Sequence, residues 1–406
     1  MRVVQINMWH KGSTGRIMLE IASTARKAGH EVWTFSPYVY QRHSKMESPE
    51  IEGHVYFGYC KENMIHYIFD RIASMHGLFS CIGMAQLLKR LDKIQPDIIH
   101  LHNLHNYTIC LPLLFKYIKK RKIRVVWTLH DCWAMTGRCS HFSIVQCEKW
   151  KTGCGHCPQI CEYPHAYIDL TSMMWRLKKK WFRAVDDMTI VTPSEWLADI
   201  VRDSLLKKYP VKVINNGINL EVFKTMANEF RKRNKCENKK IVLGVAADWG
   251  KGKGLDVFVQ LANRLPDDYQ IVMVGTNDEL DKYLPRRIIS IHHTKLQMEL
   301  VEIYSAADAF VNATREDTFP TVNIEALACG TPIITFQTGG SPEIIDETCG
   351  SVVECNDVEA LEREIIRVCS DKPYSTEACV KRAQKFDQRE KFKEYVKLYE
   401  DKMRNK

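Results

Sequence analysis

Short, nearly uninterrupted apolar runs alternate along the chain with longer segments whose apolar residues recur at helical spacing. RVVQIN (2–7), EVWTFS (31–36), DIIHLHN (97–103), RVVWTLH (124–130) and MTIVTPS (188–194) read as buried strands. KKIVLGVAAD (239–248), YQIVMVG (269–275), AFVNAT (309–314) and TPIITF (331–336) repeat the pattern. A strand that is apolar at nearly every position must be covered on both faces, and the helices between such strands supply the cover. The pattern therefore predicts an α/β chain with parallel sheets, formed twice as two Rossmann-like domains. The break falls where PVKVINNGINLEVF (210–223) runs into the polar EFRKRNKCENKK (229–240), a composition suited to an inter-domain connection. The expected domains are 1–214 and 215–385. Residues 386–406 form a charged C-terminal helix that is either an ordinary terminal helix or a strap back to the first domain.

Bulk properties narrow the class. At 406 residues the chain exceeds what one core supports, and 45% apolar with 26% charged residues is a globular composition. No apolar run approaches the ~20 residues of a spanning helix. His10, Lys11 and Arg16 interrupt the start of the chain, so it does not read as a secretory signal. A cytoplasmic location is expected. The net charge of +9 concentrates in KYIKKRKIR (116–124) and WRLKKKWFR (175–183). These runs are either solvated helix faces or, with Trp175, Trp181 and Phe182, contacts to an anionic membrane surface, giving peripheral association. No helix-turn-helix or RNA-recognition signature accompanies them, so nucleic acid is not expected as a partner.

Open α/β sheets bind ligands at the carboxyl ends of their strands, and the chemistry is sought there. After RVVQIN come Gly12, Ser13, Thr14 and Gly15, a tight turn into a helix whose first amides favour phosphate. The run TLHDCW puts His130 at a strand end, where a histidine is either a structural hydrogen-bonder or a group of the site. In the second half, Lys251, Gly252, Lys253 and Gly254 precede a helix. A lysine over a glycine turn suits a diphosphate. The spacing is not that of a Walker A loop, and no G-x-G-x-x-G follows the strand. Asp317 and Glu325, seven residues apart, flank the start of a buried helix in REDTFPTVNIEALACGTPI (315–333). A carboxylate there can accept hydrogen bonds from ribose hydroxyls, the bland reading being a surface acid pair.

The motifs GSTGR, DIIHLHNLHNY (97–107), TLHDCW, TPSEWL, NNGIN, KGLD, EALACGTP and TGGSPEII occur in order along the chain. This ordered set resembles the retaining family 4 glycosyltransferases of the GT-B fold, with their acid–seven residues–acid motif. It is especially similar to bacterial transferases of capsule and exopolysaccharide assembly. The resemblance implies that Glu325 binds the ribose of a nucleotide sugar and Asp317 lies near the transferred sugar. It also implies that Lys253 and the amides around Phe319, Pro320, Thr321 and Val322 hold the diphosphate. Gly12 to Gly15 would close over it, and His130 would lie beside the sugar and acceptor. The family usually has Glu at the position of Asp317 and Arg at the position of Asp248. Lys251 is the candidate for the missing positive charge.

Six of the fifteen cysteines fall within residues 132–161, where even spacing would put about one. Cys139, Cys147, Cys154 and Cys157 follow C-x7-C-x6-C-x2-C, a set suited to one structural zinc ion. Cys132, Cys161, His141 and His156 are substitute ligands. The C-x-x-C is alternatively a redox pair.

The resulting expectation is a hexosyl-type transferase, retaining and metal-independent in its chemistry. It would move sugar from a nucleotide-diphosphate donor to a glycan or lipid-linked glycan acceptor. Two alternatives share the fold: a nucleotide-sugar epimerase, which would return an isomer, and a catalytically inactive partner protein, to which Asp248 points.

Overall fold

The computed structural model describes residues 1–38, 51–105, 107–162, 164–227, 229–294 and 296–404. Asn106 of the DIIHLHNLHNY stretch and the last two residues of the C-terminal tail lie outside that set. The chain divides into two units, Met1–Ile214 with Phe392–Lys406, and Asn215–Lys391.

The first unit holds seven strands: β1 (Arg2–Ile6), β2 (Glu31–Pro37), β3 (His54–Phe57), β4 (Ile98–Leu101), β5 (Arg124–Thr128), β6 (Met188–Thr192) and β7 (Val211–Val213). They pair in the order β3-β2-β1-β4-β5-β6-β7, and every pairing is parallel. Ile6 lies opposite Leu101, and Leu101 opposite Trp127, so the carboxyl ends of β1, β4 and β5 open side by side. The order changes direction between β1 and β4, the kind of crevice in which such sheets bind ligands. Val3, Val4 and Ile6 are fully buried, each stabilising the fold by about 1.5–3 kcal/mol.

Helix Gly12–Lys27 covers this sheet with Ile17, Met18, Ile21, Ala22 and Ala25, which recur at helical spacing on one face. Helix Gln388–Arg404 turns Phe392, Tyr395, Val396, Leu398 and Tyr399 inward. These side chains join a core with Val3, Ile21, Ile98 and Val126.

The second unit holds β8 (Lys240–Val245), β9 (Tyr269–Val274), β10 (Ile288–Ile291), β11 (Ala309–Asn312), β12 (Ile333–Phe336) and β13 (Gly350–Val353). The order is β10-β9-β8-β11-β12-β13, again wholly parallel. Its direction changes between β8 and β11. Both units are thus doubly wound α/β sheets, as the apolar runs predicted. Four strands, β3, β7, β10 and β13, were not among those runs.

The basic run 175–183 is corrected. Helix Thr171–Phe182 buries Met174, Trp175, Lys178 and Phe182, and Trp181 packs against the same core. The aromatics proposed for a lipid surface are therefore core residues. Lys178 Nζ lies 3.4 Å from the Trp133 ring centroid and donates to the carbonyls of Trp133 (2.8 Å) and Thr136 (3.1 Å). Burial pushes its ammonium down to about 7.

Candidate active site

In the first unit, three strand ends supply a polar interior. Asn7 follows β1; its amide nitrogen donates to Trp9 O (2.8 Å) and Thr14 Oγ1 (3.3 Å), and its carbonyl accepts from Met8 N and Asn103 N. One side chain thus ties the β1 and β4 ends to the glycine turn. Within that turn a Cβ on Gly15 would come 2.3 Å from the His10 carbonyl carbon, so only glycine fits there. Gly12 has φ +71 with nothing within 4 Å of an added Cβ, so it is required for conformation alone. Ser13 is exposed, and no side chain caps the helix that starts here. Its first amides keep the character that attracts an anion.

His130 follows β5. Its Nε2 lies 3.3 Å from His102 Nδ1, and the two rings are nearly parallel. Burial pulls its imidazole down to about 4, against the raising effect of Asp131. The next residue, Asp131, accepts from His105 Nε2 (2.7 Å), Asn103 Nδ2 (3.2 Å) and Trp133 N (2.8 Å). Burial alone would raise this carboxyl. The charge and hydrogen bond of His105, with the Trp133 amide, outweigh burial and hold it at about 2. His100, in β4 two residues before His102, bonds Tyr399 OH (2.6 Å) and Thr128 Oγ1 (2.8 Å).

In the second unit, Lys253 Nζ donates to Asp317 Oδ2 at 2.7 Å, and Asp317 Oδ1 accepts from Phe319 N at 3.2 Å. Two backbones hold this pair in position. Gly254 has φ +77 and its Cβ would lie 2.5 Å from Ala313 O; Gly339 has φ +56 and its Cβ would lie 1.8 Å from Asp317 O. Arg315 braces the lysine turn from the side. Its backbone N–H donates to Gly252 O (2.8 Å), its guanidinium donates to Lys251 O, and it forks onto Asp256 at 2.7 and 2.8 Å. Lys251 and Asp248 are both exposed.

Glu325 is on helix Thr321–Ala328, which begins at Pro320 without a side-chain cap. It is 5% exposed and accepts from Tyr304 OH at 3.1 Å. In the same helix, Asn323 accepts from Asn312 and donates to Ser341 Oγ, anchoring it to the glycine turn that carries Gly339. The structure thus brings Lys253, Asp317 and the turn 319–322 together, and puts Glu325 one helical turn further in. Sequence reasoning did not single out Tyr304, Arg315, His102 or Asn7. The signal for His102 was the second of two histidines interrupting the apolar stretch of DIIHLHN.

The cysteine segment folds back on itself. Cys139, Cys147, Cys154 and Cys157 all line one cavity, and Gly137 N donates to Cys154 Sγ at 3.2 Å. Cys139 and Cys157 share a hydrogen bond that draws the Cys157 thiol down and pushes that of Cys139 up. Among the described residues, however, no three His, Cys, Asp or Glu side chains are arranged to hold a metal ion. All fifteen cysteines are free thiols.

Comparison with known proteins bears on both units. Residues 14–222 match the family model of Glycosyltransferase Family 4, and residues 226–388 match that of Glycosyl transferases group 1. A putative colanic acid biosynthesis glycosyl transferase of Escherichia coli is 28% identical over 271 residues, covering 65% of each chain. An N,N'-diacetylbacillosaminyl-diphospho-undecaprenol alpha-1,3-N-acetylgalactosaminyltransferase of Campylobacter jejuni is 27% identical over 223 residues, covering 51% of this chain and 59% of the relative. In both cases the match spans less than two thirds of the relative's length. Among solved structures, Anabaena HepE in complex with UDP-glucose superimposes with a TM-score of 0.68 at 14% identity, covering 99% of this chain and 100% of that one.

Proposed function

The chain belongs to glycosyltransferase family 4, and from that premise we propose that it transfers a sugar from a nucleotide-diphosphate donor to a glycan or lipid-linked glycan acceptor in bacterial surface polysaccharide synthesis. The observation that carries this reading is the Lys253–Asp317 pair at 2.7 Å, set between a glycine turn and an uncapped helix start. Transfer breaks the bond between the anomeric carbon and the diphosphate oxygen, and negative charge grows on the leaving group. A fixed ammonium and backbone amides stabilise that charge, so the chemistry is proposed to run without a metal ion. The entering diphosphate competes with Asp317 for Lys253, and the released carboxylate becomes an acceptor for hydroxyls of the transferred sugar. Glu325, supported by Tyr304, binds the ribose, and His130 positions the sugar. Retention of anomeric configuration follows the family pattern.

Incubation with a panel of nucleotide sugars, with and without lipid-linked or soluble glycan acceptors, tests the proposal by acceptor-dependent nucleotide release and the anomeric form of the product. Isomerised donor, or no turnover with any pair, overturns it. Glu325→Ala should weaken donor binding by about 2–4 kcal/mol; unchanged affinity by calorimetry removes Glu325 from the site.

Two finer parts of the reading have their own support. A zinc ion in the cysteine cavity is supported by four soft donors lining one space and by an amide already bonded to Cys154 Sγ. Elemental analysis of reduced protein purified without added metal tests it, and a zinc-free folded chain overturns it.

Contact with an anionic membrane surface is supported by helix Cys60–Ala73 rather than by run 175–183. This helix exposes Met64, Ile65, Ile68, Phe69 and Ile72. The Arg71 guanidinium lies 5.9 Å from the Tyr67 ring centroid and 6.0 Å from that of Tyr167, and both oxygens of Glu62 are taken up by the amides of Ile82 and Gly83. An aliphatic centre with tyrosine and cation at its margin suits a lipid interface. No helix among the described residues is long and apolar enough to cross a membrane. Sedimentation with anionic vesicles, and its loss in Ile65→Gln/Ile68→Gln, tests this; a wild-type chain that ignores such vesicles overturns it.

A further inference from the structure

We propose that His102, itself oriented by Gln5, is a positioning residue that fixes the tautomer of His130, so that His130 offers a proton on Nδ1 and cannot act as a base through Nε2. The inference rests on the transferase reading only for its consequence in catalysis; the tautomer itself is a property of the folded chain.

The polarity originates at a fully buried amide. Gln5 lies in β1 beneath helix Gly12–Lys27 and is 0% exposed. Two backbone groups of that helix decide which way its amide points. The carbonyl oxygen accepts from Ala22 N at 3.2 Å, and the nitrogen donates to Met18 O at 3.3 Å; the reverse orientation would set acceptor against acceptor and donor against donor. Ala22 N–H and Met18 C=O also pair with each other along the helix, so each shares its bond with Gln5, and only this orientation sets donor against acceptor at both.

In that orientation the Gln5 nitrogen also donates to His102 Nε2 at 2.9 Å. His102 is fully buried, and burial first, then the neighbouring His100 and His130, press it toward its neutral form. A neutral imidazole that accepts at one nitrogen carries its proton on the other. His102 must therefore hold its proton on Nδ1, 3.3 Å from His130 Nε2. That contact joins a donor to an acceptor only when His130 Nε2 is unprotonated, which puts the proton of neutral His130 on Nδ1. Burial keeps His130 neutral near pH 7.

The chain Ala22 N–H and Met18 C=O, Gln5, His102, His130 thus passes a fixed polarity from the helix backbone to the strand end. A neutral imidazole with its Nε2 already engaged suits orientation of a sugar or phosphate oxygen by donation from Nδ1. It does not suit proton abstraction at Nε2.

The test is nitrogen-edited NMR of the full chain labelled with ¹⁵N-histidine, with His130→Gln used to assign the ring. The expected result is a protonated Nδ1 and an unprotonated Nε2 on His130. A protonated Nε2 overturns the proposal whether or not transferase activity is found. Gln5→Met should release the constraint and give mixed tautomers at both rings; an unchanged His130 spectrum in a folded Gln5→Met chain also overturns it. In turnover, His102→Phe should lower kcat by about 10-fold or more with donor KM nearly unchanged. His102→Asn, which keeps an amide donor toward His130, should recover most of that loss. Equal losses in the two folded variants reduce His102 to a packing residue and overturn the positioning role.

Discussion

The polar clusters of the two units, each considered by itself, are built by opposite means. In the first unit, buried side chains hold one another: Asp131 collects three donors, His130 meets His102, His102 meets Gln5, and His100 beside them bonds Tyr399 and Thr128. In the second unit, the central ion pair is partly exposed, with 40% of the Lys253 side chain and 22% of that of Asp317 accessible. Backbones and glycines hold it in position. A buried network resists displacement but fails when one polar partner is deleted, because the remaining groups are orphaned in low dielectric. A loop braced by close backbone contacts tolerates polar change around it and fails when a Cβ is added. The difference predicts which kind of mutation each cluster can bear.

The strongest test of the contrast is Lys253→Gln. It should lower kcat about 10²–10³-fold, as expected for losing a charge that stabilises a leaving group, while the melting temperature stays nearly constant. A large loss of stability would mean that the pair is structural. Next is Gly339→Ala, whose Cβ meets the Asp317 carbonyl at 1.8 Å with φ +56. It should cost about 2–4 kcal/mol in denaturant unfolding, or displace Asp317 with matching loss of activity.

The buried half is probed by Asp131→Asn. The folded-state carboxyl is held down at about 2, below its ordinary value. Its contribution is therefore fully present above about pH 4 and is lost as pH falls toward 2. At pH 7 the substitution should destabilise the chain by about 2–3 kcal/mol, and the gap to wild type should narrow on acidification. A gap that stays constant with pH would show that packing, not charge, is what Asn disturbs. The smallest effect is expected for Gly12→Ala. Its φ of +71 strains any other residue, yet nothing lies within 4 Å of the new Cβ, so the cost should be about 1 kcal/mol. A loss as large as that of Gly339→Ala would erase the distinction between conformational and steric glycines.

Strand legibility followed position in the sheet. All nine apolar runs are interior strands, whereas β3, β7, β10 and β13 are the outermost strands of their sheets. An outer strand has a neighbour on one side only, so it can be short and partly exposed. In HVYF only Phe57 is fully buried, VKV is half-buried throughout, and GSVV exposes one valine. Such segments carry little of the continuous apolar signal by which buried strands are read. The same logic applies to the polar residues. Lys253, Asp317 and Glu325 were proposed from local spacing alone, which puts them at a turn and a helix start. Gln5 and His102 are 97 residues apart, Arg315 and Asp256 are 59 apart, and Tyr304 and Glu325 are 21 apart. No local pattern links such pairs.

The chain's own order of apolar runs and turns was enough to determine two parallel α/β sheets and the strand ends where polar residues gather. Those features depend on the covering of each strand and on the conformations a few adjacent residues allow. Which face of an amphipathic segment turns inward was decided only in three dimensions. WRLKKKWFR carries three consecutive lysines, yet Lys178 is fully buried over Trp133 while the exposed apolar face belongs to helix Cys60–Ala73. Periodicity defines a stripe but not its partner. The partner is chosen by whichever distant surfaces, here Trp133 and the carbonyls of residues 133 and 136, can satisfy both the apolar stem and the charged end of the same side chain.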